Sequence, residues 1–143
     1  MKIGELARLT QCTVETVRYY EREGLLPAAA RTEGNFRAYG PEHIERLRFI
    51  RNCRALDMSH EEIRNLLGLI DTPAAGCGAI NEVFDEHITH VEARIRELEE
   101  LKQSLRTLRD RCQSERSVND CGILHGLTEM GSAPRKEKHT HLG

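Results

Sequence analysis

The chain has 143 residues, 38% of them hydrophobic, no tryptophan and a formal net charge of -2. That fits one domain with an appendage and advertises neither a nucleic-acid nor a membrane partner. No apolar run approaches the ~20 residues that cross a bilayer, and Met1-Lys2-Ile3-Gly4-Glu5 lacks the apolar stretch of a signal peptide. A cytoplasmic chain with no membrane partner is expected, its five cysteines reduced. The odd count at wide spacing makes a poor disulfide framework. The halves differ only slightly, residues 1–70 carrying a net +1 and residues 71–143 a net -3. The kind of cation is more telling. Ten of the eleven in the first half are arginine, which suits bidentate phosphate and guanine contacts better than lysine does.

Ile3 to Leu9 reads as a short helix, broken by Gln11-Cys12-Thr13. Thr13 is a candidate N-cap for a second helix, Val14 to Glu23, which stops at Gly24. Two short helices joined by a tight turn are a helix-turn-helix. Val14, Val17 and Leu25 suit its inner side, leaving Thr16, Arg18, Tyr19 and Arg22 outside, with Tyr20 shared. Arg31 to Tyr39 reads as a hairpin turning at Gly34-Asn35. There Phe36 and Ala38 alternate with Arg37 and Tyr39, as in a strand with one buried face. A hairpin of this size after a helix-turn-helix is a wing.

Pro41 opens a third helix to about Leu56, with Ile44, Leu47 and Ile50 as its inner stripe. Ser59 with Glu62 three residues on is a capping box for a fourth helix through Ile63, Leu66, Leu67 and Ile70. A winged helix-turn-helix DNA-binding domain is thus expected over residues 1–70, with a linker over 71–79. A long helix is expected over 80–112. Phe84, Val91, Leu98, Leu105 and Cys112 recur every seven residues there, and Ile88, Ile95, Leu101 and Leu108 fill a second seam. Four heptads with charged flanks argue for a coiled coil. A loop and short helix over 113–127 and a disordered tail over 128–143 complete the expected order.

The cysteines bear on pairing. Cys77 precedes the long helix, Cys112 closes it and Cys121 follows in a loop. A helix of that length spans roughly 50 Å, so Cys77 cannot meet Cys112 within one chain. Two antiparallel chains would place Cys77 of one beside Cys112 and Cys121 of the other, giving two trithiolate pockets per homodimer. Three thiolates suit lead, cadmium or mercury. Zinc normally wants four ligands; His125 or a water could add one, and His139 and His141 in the tail are auxiliary candidates. Cys12 in the turn and Cys53 on the inner stripe are read as structural.

For DNA, one recognition helix per chain would enter the major groove at each half of an inverted repeat. Thr16 and Arg18 would reach base edges or phosphates, and Tyr19 and Tyr20 would offer hydroxyls to the backbone. Arg31, Arg37 and Tyr39 on the wing, with Arg54, would grip phosphates. Ion pairs with Glu15, Glu21, Glu23 or Glu33 are the alternative for any single arginine.

The stretch from Val14 to Leu26, with Arg18-Tyr19-Tyr20 at its centre, resembles the recognition helix of MerR-type transcription regulators. Asn35-Phe36-Arg37-Ala38-Tyr39 is similar to their first wing, and the long helix to their antiparallel dimerisation helix. The three cysteines, Asp85-Glu86-His87-Ile88 and Cys121-Gly122-Ile123-Leu124 resemble the cadmium- and lead-responsive branch; Cys77, absent from copper-sensing relatives, points to a divalent ion. The resemblance implies a mainly α protein: a winged helix-turn-helix followed by a long antiparallel coiled-coil dimerisation helix. It implies a dimer on double-stranded promoter DNA that is silent without Cd(II) or Pb(II). With the metal it distorts the operator so that RNA polymerase starts on heavy-metal resistance genes. The rivals are a Zn(II)- or Hg(II)-responsive regulator of the same fold and a cytosolic metal-sequestering protein without a DNA role. An enzyme is not expected, since no nucleophile–base pair or phosphate-cradling glycine loop stands out.

Overall fold

The computed structural model describes residues 1–72, 74 and 76–131. Pro73 of the expected linker and tail residues 132–143, with His139 and His141, lie outside the described residues. The chain divides into two compact units, Met1–Phe84 and the residues from Asp85 onward.

The first unit begins with helices α1 (Ile3–Thr10) and α2 (Val14–Arg22). The turn between them places Gln11 at φ 57°, where its amide donates to the Ala7 and Arg8 carbonyls. A glutamine in the left-handed region is strained by about 1–2 kcal/mol. Arg51 Nη1 steadies it, donating to the Thr10 carbonyl at 3.3 Å and to Gln11 Oε1 at 3.1 Å. Thr13 caps α2 as expected, its Oγ1 accepting the Thr16 amide at 3.1 Å. Beyond α2, Gly24 takes φ 74°, which costs a glycine nothing, and the chain turns inward through the buried Leu25 and Leu26.

Two-residue strands β1 (Ala30–Arg31) and β2 (Arg37–Ala38) pair antiparallel, with Ala30 opposite Ala38 and Arg31 opposite Arg37. Asn35, at φ 63°, turns the hairpin. The expected alternation holds at Arg37, exposed, and Ala38, half-buried, and fails on either side of them. Phe36 is 71% exposed, whereas Tyr39 is buried at 3%. The cause is tertiary: the Tyr39 amide donates to the Met1 carbonyl at 2.9 Å and the Met1 amino group to the Tyr39 carbonyl at 2.8 Å. These bonds draw Tyr39 inward and leave the hairpin tip in solvent.

Helix α3 (Pro41–Ala55) carries proline in its first turn, and α4 (His60–Ile70) opens with the Ser59–Glu62 capping box in both directions. Helix α1 packs on α2 and α3. Leu6, Val17, Leu25, Leu47, Ile50, Met58 and Ile63 are fully buried between these elements, each contributing about 1.5–3 kcal/mol of transfer free energy. Two buried polar groups are satisfied within the fold. Thr10 Oγ1 donates to the Leu6 carbonyl at 2.8 Å. His43 Nδ1 accepts the Gly40 amide at 3.0 Å, so its Nε2–H faces the Pro27 carbonyl at 3.1 Å.

Helix α5 runs unbroken from Cys77 to Arg109. It starts three residues before the expected point, so Cys77 is its first residue rather than part of the preceding loop. Ile80 and Val83 pack onto the core of the first unit. In the second unit α5 loosens after Arg109 into tighter turns, with the Arg111 amide on the Leu108 carbonyl and the Cys112 amide on the Arg109 carbonyl. A 3-10 turn (Val118–Asp120) leads to α6 (Gly122–Glu129), which continues past residue 128, where the tail was expected to begin. Along α5, Phe84, Ile88, Ile95, Leu98, Leu101 and Leu105 are 40–59% exposed.

Candidate nucleic-acid interface and thiolate cluster

On the outer side of α2, Arg18 is exposed and makes no hydrogen bond or ion pair among the described residues. It lines an open groove of about 1050 Å³ between α1, α2 and the wing, with Lys2, Arg22, Phe36 and Arg37. Thr16 is half-buried, its hydroxyl 2.8 Å from that of Thr13. Arg31 braces the hairpin turn, Nη1 donating to the Asn35 carbonyl at 3.1 Å.

Glu21 fastens the wing to α2. Its carboxylate accepts from the Ala29 amide at 3.3 Å, from Arg37 Nη1 at 3.1 Å and from the Tyr39 hydroxyl at 3.1 Å. Arg37 therefore takes the ion-pair alternative in the free chain, and Tyr39 is a buried brace rather than a surface hydroxyl. Burial and the neighbouring Glu21 carboxylate raise the Tyr39 pKa, which keeps the phenol a donor. Glu21 appeared in the sequence only as one of several possible ion-pair partners. Phe36, expected on the buried face, is exposed.

Tyr19, Tyr20 and His60 form a ring cluster where α2 meets the start of α4. The Tyr19 hydroxyl lies 3.2 Å from His60 Nδ1, and the three ring centroids are 5.4–5.9 Å apart. Tyr20 is buried at 8%, so of its two readings the core one describes it. Burial raises its pKa. Arg54 Nη1 donates to the Met58 carbonyl at 2.7 Å while its side chain stays exposed.

In the second unit, α6 folds closely over the end of α5. A Cβ on Gly122 would strike the Arg111 carbonyl, and one on Gly126 would lie 2.7 Å from Arg111 Nη1 and 2.9 Å from Leu108. That close approach brings Cys121, just ahead of α6, to Cys112. No ordinary side-chain cap bond closes α6. The Leu124 and Ile123 amides nevertheless face the Cys121 sulfur, and with the Cys112 thiol they lower its pKa, outweighing burial. Two neighbouring thiols, one with its thiolate favoured, form a donor set fit for a soft cation. Cys112 Sγ also lies 3.6 Å from the Ser114 carbonyl. His125 Nε2 is 2.7 Å from the Asn119 carbonyl. Cys77 is exposed. Cys53 is buried in the core, where burial raises its pKa, and Cys12 sits half-buried against the Thr10 carbonyl.

Residues 1–69 match the family model described as MerR HTH family regulatory protein, and residues 44–108 match that described as MerR, DNA binding. An HTH-type transcriptional regulator ZntR homolog of Haemophilus influenzae is 51% identical over 114 residues, which is 80% of this chain and 84% of that protein. The chain belongs to the MerR family. Among solved structures, this MerR-family chain is similar to the transcription regulator PbrR691 from Ralstonia metallidurans in complex with lead(II). The identity is 51%, coverage is 89% of this chain and 98% of that one, and the TM-score is 0.81. The mercuric resistance operon regulatory protein of Bacillus cereus is 34% identical over 88% of this chain and 96% of its own length. These MerR-family relatives are regulators rather than enzymes. The helix-turn-helix, wing and long helix expected from the sequence are the architecture observed.

Proposed function

We propose that this MerR-family chain is a cytoplasmic, metal-responsive transcription regulator. It works as an antiparallel homodimer on an inverted repeat in promoter DNA. Without metal it represses, and with Cd(II) or Pb(II) it distorts the promoter so that RNA polymerase can start on heavy-metal resistance genes. The observation that carries this reading is the meeting of Cys112 and Cys121 at the end of α5 in a chain whose other end is a winged helix-turn-helix. Cys77, separated from Cys112 by a 33-residue helix of about 50 Å, would come from the second subunit. The exposed stripe from Phe84 to Leu105 supplies the apolar seam for that pairing. The similar chain PbrR691 was solved in complex with lead(II), which supports lead as an effector here. A bound ion would supply bonds that tie thiolates of the two subunits together, and His125 is within the same loop and helix as a possible auxiliary ligand.

On DNA, Arg18 and Thr16 face the major groove, and Arg31, Arg37, Arg54 and Tyr19 engage the backbone. Tyr20 and Tyr39 position those groups from beneath. Bending the operator costs a few kcal/mol by elastic estimates, which metal–thiolate bonds offset only if they form better in the activating conformer.

The ZntR homolog and the mercuric regulator among the relatives favour a second reading, a Zn(II) or Hg(II) effector at the same thiols. One experiment separates them: titration of reduced protein on its promoter with each ion, reading transcription. Induction by cadmium or lead at the lowest free concentration supports the first reading, and by zinc or mercury the second. Failure to bind any duplex would leave only a sequestering protein.

A further inference from the structure

His60 is the first residue of α4, and its ring lies against Tyr19 and Tyr20 of α2. Its Nδ1 lies 3.2 Å from the Tyr19 hydroxyl. Tyr20 stands edge-on to the same ring, Arg54 of α3 and Arg64 of α4 place positive charge on it, and Glu23 beyond α2 places negative charge. Burial first, then Arg54 and Arg64, lower its pKa, with Glu23 opposing. The imidazole is therefore neutral at physiological pH in the free chain.

A neutral ring can carry its hydrogen on either nitrogen; with it on Nε2, Nδ1 accepts and the single hydroxyl hydrogen of Tyr19 is spent on it. The Tyr19 oxygen then presents only lone pairs outward, which a phosphate oxygen repels. A protonated ring has no accepting form: it donates from Nδ1 to the Tyr19 oxygen in every case, and the hydroxyl hydrogen is released. A DNA phosphate at this corner would also offset Arg54 and Arg64, the charges that oppose protonation.

We propose that His60 is a positioning residue for a DNA backbone contact: on taking up a proton it reverses its hydrogen bond with Tyr19 and turns the Tyr19 hydroxyl toward a phosphate oxygen. The ligand is the sugar-phosphate backbone of the operator, and binding takes up a proton at each subunit. This rests on the DNA-binding reading above.

The test uses the full-length metal-free protein and a fluorescent duplex carrying the operator selected from random sequence, followed by anisotropy at constant ionic strength. Between about pH 8 and about pH 6 the wild-type affinity should rise about threefold or more through linked proton uptake at the two subunits. His60→Asn should flatten that rise while still binding at pH 8, whereas Tyr19→Phe, which removes the backbone contact itself, should bind more weakly than the wild type at pH 6 and show the same flat profile. The His60 imidazole resonances should titrate at higher pH in the complex than in the free protein. Tight binding with a flat pH profile, or a His60→Asn protein that keeps the wild-type slope, overturns the proposal and leaves the DNA-binding reading intact. Failure to bind any duplex at any pH overturns both.

Discussion

Replacing Glu21 by alanine removes the acceptor that three wing groups share. The Tyr39 hydroxyl is buried, and stranding such a donor costs about 1–3 kcal/mol. The Arg37 pair is half-exposed on the arginine side and adds under about 1 kcal/mol. The Ala29 amide, bonded at 3.3 Å and half-buried, can turn to water. We expect a loss of about 2 kcal/mol, or a Tm lower by about 8 °C if the first unit melts as a small two-state domain. Glu21→Gln keeps an acceptor and should lose less. The decisive comparison is a double-mutant cycle read by thermal melting. In a Tyr39→Phe background, Glu21→Ala should cost about 1 kcal/mol or less, because the hydroxyl it would strand is gone. Operator affinity should fall in Glu21→Ala as the wing loosens, and recover part of the way in Glu21→Gln. An equal cost in both backgrounds, or an unchanged melt with unchanged affinity, would refute the idea that this carboxylate holds the wing.

Other consequences are open to simpler tests. Leu47→Ala empties a fully buried site between α1, α3 and their neighbours and should destabilise the first unit by about 2–5 kcal/mol in urea unfolding; a shift under half that range would mean the core there collapses freely. Gly126→Val drives side-chain atoms into Arg111 and Leu108, so α6 should lift from α5. Lead or cadmium affinity should drop at least tenfold while metal-free operator binding stays unchanged. Metal affinity measured by chelator competition should weaken as pH falls, because each thiol must lose a proton to bind; a flat profile between about pH 8 and about pH 6 would contradict thiolate ligation.

Local chemistry was legible before the fold was known. Thr13 and the Ser59–Glu62 pair satisfy amides three residues away, and such bonds depend on little beyond their own turn. Leu47 and Ile50 follow from helical period alone. The wing was harder, because two-residue strands are too short for alternation to govern which side is buried. Bonds between Tyr39 and Met1 decide it, across 38 residues of sequence. Glu21 and His60 escaped for the same reason. Glu21 meets partners 8 to 18 positions away, and His60 meets Tyr19 across 41. At the thiols, the sequence pointed to Cys112 and Cys121 as neighbours, while their approach depends on Gly122 and Gly126 letting α6 lie against Arg111 and Leu108.

The account turns on thiolates contributed by two subunits. Mixed dimers test it most directly. Cys77→Ser protein and Cys112→Ser/Cys121→Ser protein should each fail to hold lead or cadmium as homodimers. Combined, the heterodimer regains one complete site, joining Cys77 of one chain to Cys112 and Cys121 of the other. The account predicts one ion per mixed dimer, against two for the wild type. A mixture that stays as inert as its parents, or a Cys77→Ser homodimer that binds like wild type, would contradict it.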